Sequence, residues 1–454
     1  MLFSPYFESR SIALTLFNNV FCSGILFLLL CNDSATAGEP ITSTTEQGVT
    51  EMRELGVADQ PASPVLADAP ETYEGISPFL RDSTFNGQIR TYFFHRQNFD
   101  DSFNEAFAVG GFLAYESGYL ANRFRIGASA YTSQRLYGPG SRDGTLLLES
   151  GQEGYSVLGQ LYADIKITDQ LIAHIGRKEY STPYINSNDS RMTPNTFQGY
   201  TLFGKTGGES TGAEWRYGIG YINKIKKRNS DEFEWMSSAA GARVDRGVYA
   251  AGFNFQQNAF SIGAMNYYSK DIINIFYTEA KHTFSLIETY KLRLSGQYTN
   301  QRSTGDNLLQ GYAFSSHQAG VKADLSVGAA VLTMAYTNTT SDSNMQNPWS
   351  AYPGYTAVQV GSFKRAGESA LMFRAAYDFT GLGLEGFSAY GLWVNGYGVK
   401  KPLYNQDEIN LNLQWLPKYG ALKNFSFRTR YALLSQRGDG PDINEYRLIV
   451  NYDF

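Results

Sequence analysis

Two pairs of basic residues stand two positions apart in segments that alternate polar with apolar side chains. They are Arg428 with Arg430, and Lys291 with Arg293. Residues two apart in an extended chain lie on one face, so each pair would form a short row of cations. Arginine binds carboxylates through two parallel N–H···O bonds. The chemistry that these pairs indicate is the guidance of an anionic solute, with no covalent step.

Residues suited to covalent or metal chemistry are sparse. The four histidines are scattered along the chain and lack the spacing of metal ligands. The sequence contains no Gly-x-Ser-x-Gly nucleophile turn and no glycine-rich phosphate loop. We therefore predict no enzyme activity, no metal and no cofactor. Because serine is abundant, a hydrolase with serine and histidine on adjacent strands stays open as the weakest alternative.

The segments that carry the basic pairs alternate with a period of two. Between residues 408 and 415, Ile, Leu and Trp fill the odd positions, while Glu, Asn and Gln fill the even ones. The same split recurs near residues 215–221, 290–298, 371–379 and 425–433. Such a strand shows its two faces to different solvents. Because the apolar face is bulky and often aromatic at its ends, it is typical of a face that meets lipid.

About eighteen such segments follow one another along the chain. They begin near Thr84, Glu105, Leu120, Gly154, Gln170, Gln198, Gly212, Arg246, Ala259, Asp271, Tyr290, His317, Ala329, Glu368, Gly386, Gln406, Lys423 and Asn444. This leaves about 21 residues for each strand with its connection, and a spanning strand takes roughly 9–11 of them. A sheet in hydrocarbon must close, since an unpaired edge is costly there.

The pattern therefore predicts an all-β fold, a transmembrane antiparallel up-and-down β-barrel of about 18 strands. Short periplasmic turns would alternate with longer extracellular loops. Sixteen strands would also fit the chain length. At either size the lumen is too wide for wall side chains alone to fill.

The composition agrees with such a barrel. The 454 residues include 32 Tyr and 30 Phe, and a mean hydropathy of −0.32 excludes a helical membrane protein. The formal net charge of −5 argues against a nucleic-acid partner, which would require a basic surface. Both cysteines, Cys22 and Cys31, lie in an N-terminal apolar run.

That run predicts export. Residues 20–31 are too few to span a bilayer, and the small residues Ala35 and Ala37 follow. We interpret residues 1–37 as a secretory signal peptide, with a lipoprotein signal ending at Cys31 as the weaker alternative and the true start codon left open. Residues 38–78 are polar and are predicted to form a flexible periplasmic segment. The barrel domain would occupy residues 79–454.

The C-terminal strand also indicates the bacterial outer membrane. Tyr446, Leu448, Val450, Tyr452 and Phe454 occupy alternate positions, and the chain stops on Phe. Outer-membrane barrels typically end in this way, and the barrel-assembly machinery reads the terminal strand. Tyr452 and Phe454 are therefore predicted to be the assembly signal, in a protein surrounded by outer-membrane lipid and lipopolysaccharide.

Four blocks, in order along the chain, resemble the OprD-type outer-membrane porin family. They are FLRDS at 79–83 with RTYFF at 90–94, ESGYL at 116–120, DSRMTPNTFQG at 189–199, and RAGE at 365–368. The resemblance implies an eighteen-stranded porin, often a homotrimer, that takes up amino acids, peptides or organic acids. It also implies inward loops that narrow the lumen and a row of basic residues along one wall.

The resemblance places the narrowing loop at residues 182–196, around Asp189, Ser190 and Arg191. Arg191 would either pin the loop to an acidic wall residue or face the solute, and we favour the solute. Asp189 and Ser190 would bind solute or form an Asx turn, and the turn is favoured. A second inward loop is expected at residues 340–367, which carry Trp349, Tyr352, Pro353, Tyr355 and Phe363.

Strand alternation assigns a mainly basic lumen wall, although the whole chain is acidic. The expected inward cations are Arg90, Arg123, Arg125, Arg216, Lys291, Arg293, Lys322, Arg374, Arg428, Arg430 and Arg447. The expected inward acids are Asp164, Glu214, Asp324, Asp378 and Glu408. A basic wall in a narrow channel would enrich anions. Alternatively, these charges pair across strands and only solvate the wall.

The sequence thus predicts a porin for passive, partly selective diffusion of small hydrophilic solutes, biased toward carboxylates. A structural or adhesive barrel with a closed lumen is the alternative from another class, with an outer-membrane enzyme behind it. The sequence leaves open which solute is carried and whether the protein is a monomer or a trimer.

Overall fold

The computed structural model describes residues 77–208, 212–287, 289–400, 403–436 and 442–454. The predicted signal peptide, residues 1–37, and nearly all of the polar segment 38–78 lie outside the described residues. The described part begins with one helical turn, α1 (Pro78–Arg81), for which Ser77 is the N-cap. Proline at the first helical position fits such a start, because its missing N–H has no partner there in any case.

Strands make up nearly all of the remaining regular structure. They are β1 (Thr84–Gln97), β2 (Phe103–Glu116), β3 (Phe124–Tyr137), β4 (Tyr155–Thr168), β5 (Leu171–Lys178), β6 (Thr196–Gly208), β7 (Ala213–Lys226), β8 (Glu234–Trp235), β9 (Val248–Gln257), β10 (Phe260–Ser269), β11 (Ile273–Ile287), β12 (Tyr290–Arg302), β13 (Ser315–Val327), β14 (Ala330–Thr339), β15 (Ser369–Asp378), β16 (Phe387–Tyr397), β17 (Gln406–Trp415), β18 (Phe425–Gln436) and β19 (Ile443–Asp453). A second short helix, α2 (Met236–Ala239), follows β8, and three 3₁₀ turns occupy Gly140–Arg142, Phe379–Leu382 and Gly420–Leu422. None of the helices in these described segments has the length and apolarity needed to cross a membrane.

The sheet closes on itself. Each long strand pairs antiparallel with the next, and β1 pairs with β19 from Gln88 opposite Asp453 to Gln97 opposite Asn444. The two-residue β8 pairs only with Lys224 and Ile225 at the C-terminal end of β7, and β9 pairs with the preceding part of β7, from Ala213 to Ile222. Within the described residues, eighteen strands therefore form the barrel, which confirms the predicted fold and selects eighteen strands over sixteen.

The period of two predicted from the sequence is visible in the exposure of the side chains. On β17, Glu408 and Asn410 are fully buried, while the intervening face exposes Leu411 by 50 % and Leu413 by 45 %. Polar side chains thus face inward and apolar ones outward. Every barrel strand begins within four residues of its predicted start. The largest difference is at β3, which starts at Phe124 because the residues before it form a turn.

Connections differ at the two ends of the barrel, here called the turn end and the loop end. Both chain ends of the barrel lie at the turn end, as an even strand count requires. At the loop end, two long connections fold into the barrel: the β5–β6 loop (residues 179–195) and the β14–β15 loop (residues 340–368). Their aromatic side chains pack against the inner wall, and the largest buried apolar cluster includes Tyr184, Trp349 and Tyr352 with Tyr267 and Tyr277 of the wall.

Candidate functional site

The two inward loops are attached to each other inside the barrel. The backbone N–H of Asn186 donates to Ser350 Oγ at 2.9 Å, and that hydroxyl donates to the Asn186 carbonyl at 3.0 Å. Beside this pair, the rings of Tyr184 and Tyr352 meet edge to face at 6.1 Å. Reciprocal hydrogen bonds with an aromatic contact fix the relative position of the loops, so they act as one partition of the lumen.

The β14–β15 loop is attached to wall strands on both sides of its own strands. Near its middle, Tyr355 donates its hydroxyl proton to Glu279 Oε1 on β11 at 2.6 Å. At its tip, the backbone N–H groups of Val360 and Gly361 donate to the Glu408 carboxylate on β17 at 2.9 and 2.6 Å. A carboxylate that accepts two backbone N–H bonds holds the tip firmly.

The β5–β6 loop is held against β1. The Arg90 guanidinium forms a bidentate ion pair with Asp189, at 2.7 and 3.0 Å, and also donates to the Arg191 carbonyl at 2.6 Å. Tyr92 donates its hydroxyl proton to the Ser190 carbonyl at 3.3 Å. Asp189 thus binds a wall cation, and Ser190 lies between two residues that are fixed to the wall.

Arg191 points away from the open lumen. It is 5 % exposed, its Nε donates to the Thr145 carbonyl at 2.7 Å, and its guanidinium carbon lies 4.9 Å from the centre of the Phe94 ring. Burial, with the nearby Arg447 and Arg228 guanidinium groups, lowers the pKa of Arg191. This geometry fits an anchor for the loop and differs from the solute-facing position expected from the sequence.

Five lumen-facing arginines occupy three successive levels of one wall, and we call them the arginine wall. On the middle level, Arg430 of β18 is directly opposite Arg447 of β19 in the antiparallel register. One level toward the loop end, residues paired in register form a row from β1 to β15, with Arg96 at the β1 end and Arg374 at the β15 end. Arg428 lies one level toward the turn end. The members are Arg96, Arg374, Arg428, Arg430 and Arg447.

The same three levels carry fewer negative charges than positive ones. The rows contain two carboxylates, Glu445 of β19 and Asp378 of β15. Glu445 is fully buried and pairs with both Arg96 and Arg447, the latter with an N···O distance of 2.5 Å. Asp378 accepts a hydrogen bond from the backbone N–H of Thr380 in the following turn, at 2.8 Å.

Neutral groups orient the other members of the arginine wall. Arg428 Nε donates to Asn412 Oδ1 at 2.6 Å, and Arg430 donates to the Tyr390 hydroxyl at 3.2 Å. Arg374 stacks over the Tyr390 ring at 4.6 Å. Amide, hydroxyl and ring contacts help to hold these guanidinium groups in place.

Several other predicted cations form salt bridges along the wall. Arg125 pairs with Glu116 and Asp164, Arg216 with Glu214, and both Arg293 and Lys322 with Asp324. These contacts match the alternative reading, in which wall charges pair across strands. Lys291 is exposed near the turn end of β12.

Arg123 is a correction to the predicted lumen set. It lies in the turn before β3, is exposed, and donates to the Lys166 and Ile167 carbonyls. The turn forms because Ala121 and Asn122 adopt left-handed backbone angles, with φ of 49° and 56°. Strand alternation does not extend through such a turn, so it assigned Arg123 to the wrong environment.

The sequence analysis missed residues that share the same site. Glu445 is two residues before Arg447, and Arg96 is two residues after Phe94. Strand alternation therefore predicts the same inward face for both Glu445 and Arg96. Arg228 lies in the β7–β9 loop, where burial and the neighbouring Arg447 lower its pKa to about 10. Nothing in the sequence indicated its position. In the described part of the chain, no group of three or more His, Cys, Asp or Glu side chains is arranged to hold a metal ion.

A closed eighteen-stranded barrel with an apolar outer face, inward loops and a charged inner wall defines an outer-membrane channel. The chain belongs to the OprD family of outer membrane porins, whose model matches residues 77–454. Its location is therefore the bacterial outer membrane, and the family to which it belongs consists of non-enzymatic channels that take up small solutes.

Solved structures agree with this assignment at the level of the fold. OccK9 (OpdG) of Pseudomonas aeruginosa has a TM-score of 0.74 and 23 % identity, over 83 % of this chain and 99 % of that one. OpdK of Pseudomonas aeruginosa with vanillate gives 0.72 and 20 %, with the same coverage of each chain. A BenF-like porin from Pseudomonas fluorescens Pf-5 gives 0.73 and 19 %, again with 83 % and 99 % covered. No curated protein matches this chain.

Proposed function

We propose that this porin allows passive, partly selective diffusion of small hydrophilic solutes, with a preference for those that bear carboxylates. Amino acids, short peptides and organic acids are the solute classes that fit. The observation that carries the preference is the arginine wall, in which five guanidinium groups share three levels with two carboxylates.

Electrostatics gives the wall its effect on solutes. Like charges directly opposite on neighbouring strands repel each other, as Arg430 and Arg447 do. Arg430 and Arg447 are only 4 % and 3 % exposed, so they would act on a solute carboxylate through the field of their charge. The half-buried members Arg96, Arg374 and Arg428 could bind a carboxylate through the guanidinium fork. Because the surrounding wall has a low dielectric constant, the field is concentrated in the water of the lumen.

The inward loops would supply the size limit. The β14–β15 loop is bound to Glu279 of β11 and to Glu408 of β17, and the β5–β6 loop is fixed to it at Ser350. Solutes would pass through the space that these loops leave beside the arginine wall. Small polar molecules are the ones that fit such a partly filled lumen.

A solved relative is consistent with this class of solute. OpdK of Pseudomonas aeruginosa has been crystallised with vanillate, which is a carboxylate. For this chain the proposal covers the class of carboxylate-bearing solutes and does not name a single compound.

Ion selectivity tests the proposal. The reversal potential of the purified protein in a planar bilayer under a salt gradient should show anion preference. The Arg428→Ala/Arg430→Ala variant should reduce it markedly, because two charges leave the arginine wall. Lys418→Ala/Lys423→Ala removes the same charge at the turn end and should leave the reversal potential unchanged.

Two results would contradict the proposal in different ways. Cation preference, or no change in the Arg428→Ala/Arg430→Ala variant, would show that the wall arginines are only structural charges. The absence of any current in correctly folded protein would indicate a barrel with a closed lumen.

A further inference from the structure

A row of four tyrosines crosses the outer face of the barrel near the loop end. Tyr200, Tyr221, Tyr249 and Tyr268 are directly opposite one another on β6, β7, β9 and β10. Three of them are 40–59 % exposed, and the rings of Tyr221 and Tyr249 are 4.8 Å apart. Tyrosines at this level are typical of the boundary between hydrocarbon and headgroups.

An apolar groove of about 630 Å³ lies at this row on the outer surface. Its lining includes the tyrosines and, one level toward the turn end, Ala173, Leu202, Ile219 and Ala251. The floor is low at the two alanines because each contributes only a methyl group beside longer side chains. Leu202 is next to Ala173, and Ile219 and Asn266 are next to Ala251. The groove is therefore a depression formed by short side chains between longer ones.

Two cations stand one level above the tyrosine row, toward the loop end. Arg177 of β5, Gln198 of β6, Lys224 of β7 and Trp235 of β8 follow one another in register. Arg177 is two residues after Ile175 of the groove lining, about 6.6 Å along the strand. A β-bulge in β7 brings Lys224, three residues after Tyr221, opposite Gln198, so both cations lie close to the groove.

Aromatic rings hold both cations beside the groove. The Arg177 guanidinium carbon lies 4.3 Å from the Phe233 ring centre, and Lys224 Nζ lies 5.8 Å from that of Trp235. Within the described residues, neither cation has a carboxylate oxygen within 4 Å; Glu234 of the same segment pairs instead with Lys227 at 2.8 Å. Arg177 and Lys224 thus keep their positive charge available at the membrane surface.

We propose that this surface binds a phosphorylated acyl lipid of the outer leaflet, the lipid part of lipopolysaccharide. An acyl chain would lie in the groove, and a phosphate would bind between Arg177 and Lys224. The loop end of an outer-membrane barrel faces the outer leaflet, so the order of groove, tyrosine row and cations matches the order of acyl chain, boundary and headgroup. Guanidinium and ammonium groups are the usual phosphate partners.

Native mass spectrometry of the full-length protein in detergent tests this proposal, with purified bisphosphorylated lipid A as the probe. The native protein should retain lipid A, and Arg177→Ala/Lys224→Ala should lower the retained fraction at least five-fold. Arg302→Ala/Lys400→Ala removes the same charge near the loop end, away from the groove, and should bind like the native protein. Channel current and heat-modifiable gel mobility verify that each variant is folded, since none of these residues lies in the lumen.

Two further measurements separate the phosphate from the groove. Lipid A without its phosphates should bind the native protein as weakly as the full lipid binds the double variant. Ala251→Phe, which fills the groove floor, should also lower binding.

Three results would overturn the proposal. The first is no retained lipid A on the native protein, and the second is equal binding with and without phosphates, which would indicate an acyl groove alone. The third is loss of a protein oligomer in Ala251→Phe with lipid A binding unchanged, which would assign the groove to a second copy of the chain.

Discussion

At the scale of single residues, the buried Arg90 guanidinium has one carboxylate partner among the described ion pairs. Arg90 is 7 % exposed, and its charge is balanced by Asp189 from the β5–β6 loop. Removing one member of a buried pair leaves an uncompensated charge, which costs about 3–5 kcal/mol. We therefore expect Asp189→Ala to lower the free energy of unfolding by an amount in this range.

Urea unfolding in lipid vesicles, followed by tryptophan fluorescence, would measure this loss. Asp306→Ala is a suitable control, since Asp306 is an exposed acid in the β12–β13 loop. If both variants had the same stability as the native protein, the Arg90–Asp189 pair would be dispensable for the fold.

A second residue links stability to pH. Burial lowers the pKa of Lys364, in the β14–β15 loop, from 10.5 to about 8. Between these two values the unfolded chain binds more protons than the folded one, so stability should rise with pH from about 8 to 10.5 and stay flat below 8. Lys364→Met should remove this rise and stabilise the protein at pH 7 by about 2 kcal/mol, allowing for screening.

The same urea titration, repeated at several pH values, would show the effect of Lys364. Lys400→Met, at an exposed position, should keep the native pH profile. A Lys364→Met profile parallel to that of the native protein would mean that another group causes the rise.

The face of a strand on which a residue lies could be predicted from the sequence, whereas the residues that its side chain contacts could not. Alternation predicted one shared face for Arg428, Arg430 and Arg447, and in the register Arg430 is opposite Arg447, with Arg428 one level toward the turn end. It could not show that Arg447 shares Glu445 with Arg96, because strand register and side-chain reach decide that contact. Arg191 illustrates the same limit, since its partner Thr145 comes from a different loop.

At the scale of elements, the β14–β15 loop depends on its attachment to Glu408. The Glu408 carboxylate accepts two backbone N–H bonds from the loop tip, at 2.9 and 2.6 Å, while the adjacent Gln359 side chain donates one bond to Glu445 at 3.0 Å. In Glu408→Ala the tip would lose its bonds to Glu408 and move into the lumen water. We expect larger fluctuations of the single-channel current and a mean conductance that changes by about two-fold.

Single-channel recording at fixed salt concentration measures this change. Glu385→Ala, at an exposed position in the β15–β16 turn, controls for the loss of one acidic charge. A steady native conductance in Glu408→Ala would show that the contacts with Asn186, Glu279 and the wall hold the loop without its tip.

Elements were predictable to different degrees. Strands have a local signal, because lipid on one side and water on the other impose the period of two. Loops have no such signal, and their paths depend on contacts with distant strands. The aromatic residues 349–363 indicated inward folding, but the attachment of Gly361 to Glu408 follows only from the closed barrel.

At the scale of the whole molecule, the lumen wall divides into two electrostatic regions. Around β3 to β5, Arg125 is balanced by Glu116 and Asp164. From β15 through β19 to β1, the arginine wall exceeds its carboxylates. Under the proposed function, a chain with a formal net charge of −5 would present a positive surface to solutes, because most of its acids lie outside these levels.

This division makes the expected selectivity depend on salt. The screening length is about 10 Å at 0.1 M salt and about 3 Å at 1 M, so the field of the arginine wall reaches across the lumen water only at low salt. Anion preference should therefore be strong near 0.1 M and weak near 1 M, while the Arg428→Ala/Arg430→Ala variant should change much less over the same range. Arg125→Ala/Glu116→Ala removes a cation together with one of its carboxylates, so the net charge of the wall is unchanged and the salt dependence should stay close to native. If the native preference were independent of salt, direct contacts in the narrow part of the lumen, and not the field of the wall, would determine which ions pass.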